Sequence, residues 1–349
     1  MNLRGTVGHA LLAHRPLQFA AFGSLAIAGI ALIGVFLDPR ELVNAPIWLK
    51  SFKFGISIAI YTTTLAVLLP HVTRARRTAR GLCTIIAAGI FLELALITFQ
   101  IVRGTLSHFN FQTVFDTAVT ASMGIIIVIV WLSNIVLAVF VLASRGGDQA
   151  LRIAVGWGLV IGLVGMGLAF TMTAEEAGLI ENPTETIMGA HSVGIADGGP
   201  GLPITGWSTV AGDLRVPHFV GLHAMQVVPL IAFAIAWLSR RSPAIVSEGA
   251  RVPLSHIAGV AYSGLVVLSF WQAARGQSIV QPDAMTLSAA GALVAGTTIA
   301  AIVTLVLGAR RRPPPSSDRS LAASPAPAHS QAEARHPRRT DTARGPEKE

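Results

Sequence analysis

Apolar runs of about twenty residues recur along this chain, and a run of that length is the shortest helix that crosses a hydrocarbon core about 30 Å thick. Hydropathy places them near residues 17–37, 47–70, 82–102, 117–143, 153–173, 216–238, 254–273 and 285–308. Inside lipid every backbone N–H and C=O must be satisfied within the segment, so each run is read as a helix. The predicted class is therefore all-α: a polytopic helical membrane bundle of about eight transmembrane helices. The first run, Leu17 to Leu37, is too long for the core of a signal peptide, and the small-residue stretch Val43-Asn44-Ala45 ahead of Pro46 is a poor cleavage site. It is read as a retained first span.

An even number of spans puts both termini on one side, and the basic residues say which. Of the 26 Lys and Arg, all but Arg40, Lys50, Lys53, Arg103, Arg215 and Arg275 fall on the face that carries the termini. The positive-inside rule makes that face cytoplasmic and places the chain in the cytoplasmic membrane. The net charge of +8 thus reports topology and gives no reason to expect a nucleic-acid partner. The partners expected are the lipid bilayer and a small-molecule or lipid ligand. The single Cys83 has no intrachain partner, which excludes a disulfide or a Cys-ligated metal within one chain.

This gives three regions. Residues 1–16 are a cytoplasmic N-terminal segment, 17–308 the transmembrane domain, and 309–349 a basic cytoplasmic tail whose Pro, Ser, Ala and Arg content predicts disorder. Within the domain, the loop 174–215 faces outward and carries Glu175, Glu176, Glu181, Glu185, Asp197 and Asp213. It is much longer than an ordinary connector. Its stretch Gly189-Ala-His-Ser-Val-Gly-Ile-Ala-Asp-Gly-Gly-Pro-Gly201 reads either as a surface loop of tight turns or as a lid carrying His191 and Asp197 over the bundle mouth.

Gln100-Ile-Val-Arg-Gly104 ends the third span and Gln272-Ala-Ala-Arg-Gly276 the seventh, an offset of 172 residues. Pro46 and Pro217, opening spans two and six, are 171 apart. Two four-helix halves in the same orientation would produce this spacing, although helix ends at that face favour Arg and Gly anyway.

Polar side chains inside the spans are the candidates for function, because each costs several kcal/mol in lipid unless it faces protein or water. Counted from the outer helix ends at about 1.5 Å per residue, Lys53 lies about 10 Å deep, Glu93 about 15 Å and His223 about 10 Å, with Gln226 one turn below. One reading is structural: a Lys53–Glu93 ion pair, with His223 and Gln226 as interhelical hydrogen-bonding groups. The other makes Glu93, His223 and Asp197 catalytic, with Glu93 a proton-exchanging carboxylate, and Lys53, Arg103, Arg215 and Gln226 substrate-binding. His108, His191, His218 and His223 are candidate ligands for a metal or haem. His218 and His223 are about 140° apart around their helix, so a shared metal would need His108 or His191 from other segments. No P-loop, Rossmann fingerprint, zincin helix or nucleophile elbow occurs.

The stretches Trp48-Leu-Lys-Ser-Phe-Lys-Phe54, Ser107-His-Phe-Asn110, Asp197-Gly-Gly-Pro-Gly201 and Gly212-Asp-Leu-Arg-x-x-His-Phe-x-Gly-Leu-His-Ala224 resemble a family of uncharacterised bacterial eight-span membrane proteins. That resemblance covers the bundle and not the tail, and implies no activity. In architecture alone the chain is similar to haem A synthase. That family places haem-ligating His on even-numbered helices of both halves, whereas spans two, four and eight here have none in the membrane core. Two functions are expected from the residues. One is a membrane-embedded redox or hydrolytic enzyme with an outward-facing His/Asp/Glu/Lys site, using a metal or haem if the histidines converge. The other is a proton-coupled small-solute transporter or sensor with a cavity around Lys53, Glu93 and His223.

Overall fold

A computed structural model describes residues 12–174, 189–243 and 245–310. Eight helices in it are long and apolar enough to cross a membrane. They are α1 (Arg15–Leu37), α2 (Leu49–Leu68), α3 (Arg76–Val102), α4 (Val114–Ala143), α5 (Gln149–Gly167), α6 (Arg215–Arg241), α7 (Arg251–Ala274) and α8 (Ala284–Arg310). Among the described residues the bundle is all-α apart from two isolated β-bridges and a two-residue ladder in which β1 (Ser192–Val193) pairs antiparallel with β2 (Gly212–Asp213). The tail expectation for 309–349 falls almost wholly outside the described residues, as do Glu175, Glu176, Glu181 and Glu185.

Several helices run a turn or more beyond their hydropathy limits, and the added residues include arginines. Arg76, Arg77 and Arg80 open α3, Arg240 and Arg241 close α6, and Arg251 opens α7. Local chemistry fixes several of the ends. The Thr113 hydroxyl accepts the Asp116 N–H at 3.0 Å and caps α4, and Asp148 caps α5 through the Leu151 N–H at 2.9 Å.

The packing divides the helices into two sets of four. In the first, α1 and α2 form the most extensive pair, α3 packs against both, and α4 lies on α3. In the second, α5 pairs with α6, α7 packs against both, and α8 lies on α7; α4 packs on α5 to join the sets. The intimate pairs are made by small residues that let backbones approach. A Cβ on Gly221 would fall 2.6 Å from Gly165 Cα, and one on Gly55 would fall 2.7 Å from the Ser24 carbonyl oxygen.

The two Gln-x-x-Arg-Gly ends are built alike. Gly104 and Gly276 both adopt positive φ, at 77° and 71°. Thr105 N donates to Gln100 O at 3.1 Å and Gln277 N to Gln272 O at 3.2 Å, each closing its helix in a left-handed cap. In each case the Arg then reaches the start of the next helix: Arg103 pairs with Asp116 at 2.5 Å, and Arg275 with Asp283 at 2.5 Å. The halves thus share both an order of packing and a turn chemistry.

Candidate functional site

The connectors 38–48, 103–113 and 275–283 and the segment 189–214 gather at one end of the bundle, opposite the arginine-rich connectors. The segment 189–214 is tied down along its length. Ala190 N donates to Met172 O at 3.0 Å, Leu214 N to His191 O at 2.9 Å, and Leu202 N to Trp207 O at 2.8 Å. Ser278 Oγ donates to Ser208 O at 3.0 Å from the α7–α8 connector, and Asn44 Nδ2 donates to Gly198 O from the α1–α2 connector. Lys53 Nζ reaches up from α2 to Thr205 O at 2.8 Å. The segment is therefore a cap that touches both helix sets.

Asp213 is the cap's knot. Buried at 2% exposure, its carboxylate accepts from Ser208 N at 2.8 Å and from Arg215 N at 3.0 Å, and forms a forked pair with Arg215 whose shortest contact is 2.5 Å. Arg215 Nη2 also donates to Gly206 O at 2.6 Å. Arg215 and Arg103, both expected to bind substrate, are thus engaged in holding turns: Arg103 is paired with Asp116 and bonded to Gln100 at 2.5 Å.

Within the cap, His191 and Asp197 meet. Asp197 accepts from His191 N at 3.0 Å, Ser192 N at 2.9 Å and the His191 ring Nδ1 at 2.5 Å. A carboxylate can only accept, so Nδ1 carries the proton and Nε2 is left with its lone pair. Burial opposes ionisation of Asp197, but the His191 ring and the two backbone donors hold its carboxyl well below the usual carboxylate range. Burial likewise lowers the His191 pKa, against the opposing Asp197 hydrogen bond, and favours the neutral imidazole.

The His191 ring stands edge-to-face on Phe109, with centroids 5.4 Å apart, and Phe109 in turn neighbours His108 at 6.2 Å. Phe109 holds a φ of 60°, which is strained for an aromatic residue. The turn that imposes it is built by buried Asn110, whose amide donates to Thr105 Oγ1 at 2.8 Å and to Leu106 O at 3.2 Å while its carbonyl accepts from Gln112 N at 3.1 Å.

His108 bridges a lysine and a glutamate. Lys50 Nζ is 3.0 Å from His108 Nδ1, and His108 Nε2 is 3.6 Å from Glu93 Oε1. An ammonium can only donate, so Nδ1 accepts and Nε2 bears the proton that faces the carboxylate. Burial, with the charges of Lys50 and His191 added, pushes the His108 pKa well below its ordinary value and keeps the ring neutral. Glu93 is 5% exposed, and its Oε2 is buried without a partner among the described residues.

Three expectations are corrected by this geometry. Lys53 is not the partner of Glu93: its ammonium goes to the Thr205 carbonyl, and Lys50, one turn earlier on the same face, takes that place through His108. The four histidines do not form a ligand set: among the described residues no group of three or more His, Cys, Asp or Glu could hold a metal ion. His218 Nδ1 is instead committed to Gly165 O at 2.7 Å, and His223 lies against the Phe219 ring at 4.3 Å. Gln226 is apart from the cap; its Nε2 donates to Thr64 Oγ1 at 2.9 Å and links α6 to α2 across the two sets. Lys50 and Phe109 are the residues that sequence reasoning passed over. The signal for Lys50 was its spacing of three from Lys53, which puts both on one helix face.

No protein-family model, curated protein or solved structure matches the chain.

Proposed function

We propose that the protein is a hydrolytic enzyme of the cytoplasmic membrane, with both termini in the cytoplasm and its site in the 189–214 cap at the outer face. The arginine distribution supports the orientation. The observation that carries the chemistry is the His191–Asp197 pair, in which the carboxylate fixes the tautomer and leaves Nε2 free to act as general base. In this reading His191 Nε2 takes a proton from water as the water oxygen bonds to the electrophilic centre. It returns that proton to the leaving group as the old bond breaks. Asp197 is a positioning residue that stays ionised. Glu93, reached through His108, exchanges protons behind the site.

The test is turnover by the full-length protein in mild detergent against a panel of carboxylic and phosphoric esters, repeated with His191→Gln. The reading predicts hydrolysis of at least one class, reduced by about 10²-fold or more in the variant. Hydrolysis equal in both proteins, or none, overturns it. A second reading, proton-coupled solute transport, is favoured by one observation: Glu93 Oε2 and Gln226 Oε1 are buried polar atoms without partners among the described residues. It predicts solute uptake into proteoliposomes that depends on a pH gradient and is lost in Glu93→Gln, with no hydrolysis in detergent.

A further inference from the structure

Lys50 and Lys53 stand out by what they lack. Among the described residues Arg40, Arg103, Arg215, Arg251 and Arg275 each pair with a carboxylate, whereas neither lysine does. Their partners are neutral: an imidazole nitrogen for Lys50 and the Thr205 carbonyl for Lys53. Both are partly buried on one face of the first two turns of α2, where withdrawing an ammonium from water costs several kcal/mol unless a negative charge offsets it. Of the nearby carboxylates, Asp213 is committed to Arg215 and backbone donors and Asp197 to His191 and backbone donors, while Glu93 faces Lys50 across the His108 ring. Arg215 adds a further positive charge, since it donates to Gly206 O while Lys53 donates to the adjacent carbonyl.

The turn above them carries two independent marks. Ile204, β-branched, is held at a φ of 66°, a conformation that such residues adopt only under constraint. Next to it, Thr205 Oγ1 is buried with no hydrogen-bond partner among the described residues. A strained turn, an unmet hydroxyl and the Lys53 amine, which pairs with no carboxylate among the described residues, thus meet at one point, with Lys50 one turn away on the same helix face.

We propose that Lys50 and Lys53 bind a phosphate group, with the Thr205 hydroxyl as a further donor and the Leu202–Gly206 turn closing over it. The inference rests on reading the site as that of a hydrolase, and names the substrate class as a phosphate ester. Phosphate fits better than a carboxylate because two separate ammonium point charges match a tetrahedral oxyanion, whereas planar carboxylates are best met by the fork of an arginine. The one such fork here is occupied by Asp213. The phosphate reaches the site either on a phospholipid headgroup or on a soluble ester.

The test measures binding, so it does not depend on turnover. Full-length protein in dodecyl maltoside is titrated with inorganic phosphate by calorimetry, and phospholipid retained by the purified protein is counted by native mass spectrometry. Wild type is compared with Lys53→Gln, Lys50→Gln/Lys53→Gln, Lys53→Arg, Thr205→Val and His191→Gln. We expect wild type to bind phosphate or retain an anionic phospholipid. The affinity or occupancy falls at least tenfold in Lys53→Gln and further in the double variant, falls severalfold in Thr205→Val, and is kept in Lys53→Arg and His191→Gln. Retained lipid that inorganic phosphate does not displace identifies a headgroup, and free phosphate binding in delipidated protein identifies a soluble ester. Wild type that binds neither probe, or a folded Lys53→Gln that binds as wild type does, overturns the proposal. If binding behaves as expected but no phosphate ester is hydrolysed, the phosphate site stands and the hydrolase reading fails. If carboxylic esters are hydrolysed by protein that binds no phosphate, the reverse holds.

Discussion

Lys50 Nζ lies 3.0 Å from His108 Nδ1, and that contact decides the state of the whole mouth of the first helix set. Because the ammonium can only donate, the imidazole must present its other N–H to Glu93, whose Oε1 is 3.6 Å away. The lysine and the glutamate are thus kept apart by the imidazole ring that stands between them. The same ring is brought near His191 by Phe109, which packs on both.

Removing one end of this arrangement should cost more than removing both. Lys50→Met leaves Glu93 buried without its cation, and the expected destabilisation is about 3–5 kcal/mol, the usual penalty for an uncompensated buried charge. Lys50→Met/Glu93→Leu should recover most of that loss. Thermal unfolding in detergent of wild type, both single variants and the double variant gives the coupling; additive effects would show that the two ends are not coupled.

Asp197→Asn tests positioning apart from binding. The amide can no longer fix the His191 tautomer, so turnover should fall by about 10²–10⁴-fold, in line with loss of a general base held ready for proton transfer. Phosphate affinity should stay within about twofold, because Lys50 and Lys53 are untouched. A kcat that is unchanged while KM rises would place Asp197 in substrate binding instead.

Acid should loosen the cap. Burial keeps the His108 and His191 pKa values below the ordinary 6.5 of an unfolded chain. Between those two limits the unfolded state holds more protons, so stability is fully present above pH 6.5 and declines as pH falls toward the folded values. Asp197, whose carboxyl is held low, adds a loss of the same sign at still lower pH, below its ordinary 3.8. Lys50, Glu93, Asp197 and Arg215 are the charged groups around these rings. Hydrogen-exchange protection factors of residues 189–214, corrected for the intrinsic pH dependence of amide exchange, should fall from pH 7.5 to pH 5, and His108→Gln/His191→Gln protein should show a smaller change. Equal acid sensitivity in that double variant would count against the assignment.

The helix pairs make a prediction that is independent of function. A Cβ at Gly221 would meet Gly165 Cα at 2.6 Å, so Gly221→Val must push α5 and α6 apart, at a cost of about 1–3 kcal/mol or more. Gly291→Ala, on α8, meets nothing within 4 Å and should leave the melting temperature unchanged or slightly raised. A neutral Gly221→Val would show that this backbone contact does not hold the pair.

The histidines show where sequence reasoning met its limit. Their polarity at the outer ends of spans and in a Gly-rich loop marked them as candidates. Whether they shared a ligand, however, depended on distances between segments far apart in the chain. The structure commits each to a different partner: Lys50 and Glu93 for His108, Asp197 for His191, the Gly165 carbonyl for His218 and the Phe219 ring for His223. Lys53 and Glu93 were paired in the sequence by depth alone, and a depth estimate carries no azimuth. One helical turn, from Lys53 to Lys50, was enough to change the partner.

What the sequence by itself determined was the set of helices and their approximate limits. The thickness of a bilayer and the need to satisfy every backbone group act locally, on each run of about twenty residues, and can be read one segment at a time. The Gln-x-x-Arg-Gly ends were legible for the same reason, since a left-handed glycine cap is built from neighbours in sequence. Tertiary structure alone decided which helix faces meet and what lies beneath the cap. Lipid is as apolar as the side chains it solvates, so hydropathy does not choose between neighbours; close backbone contacts such as Gly165 with Gly221, and hydrogen bonds such as Lys53 to Thr205 across 152 residues, make that choice.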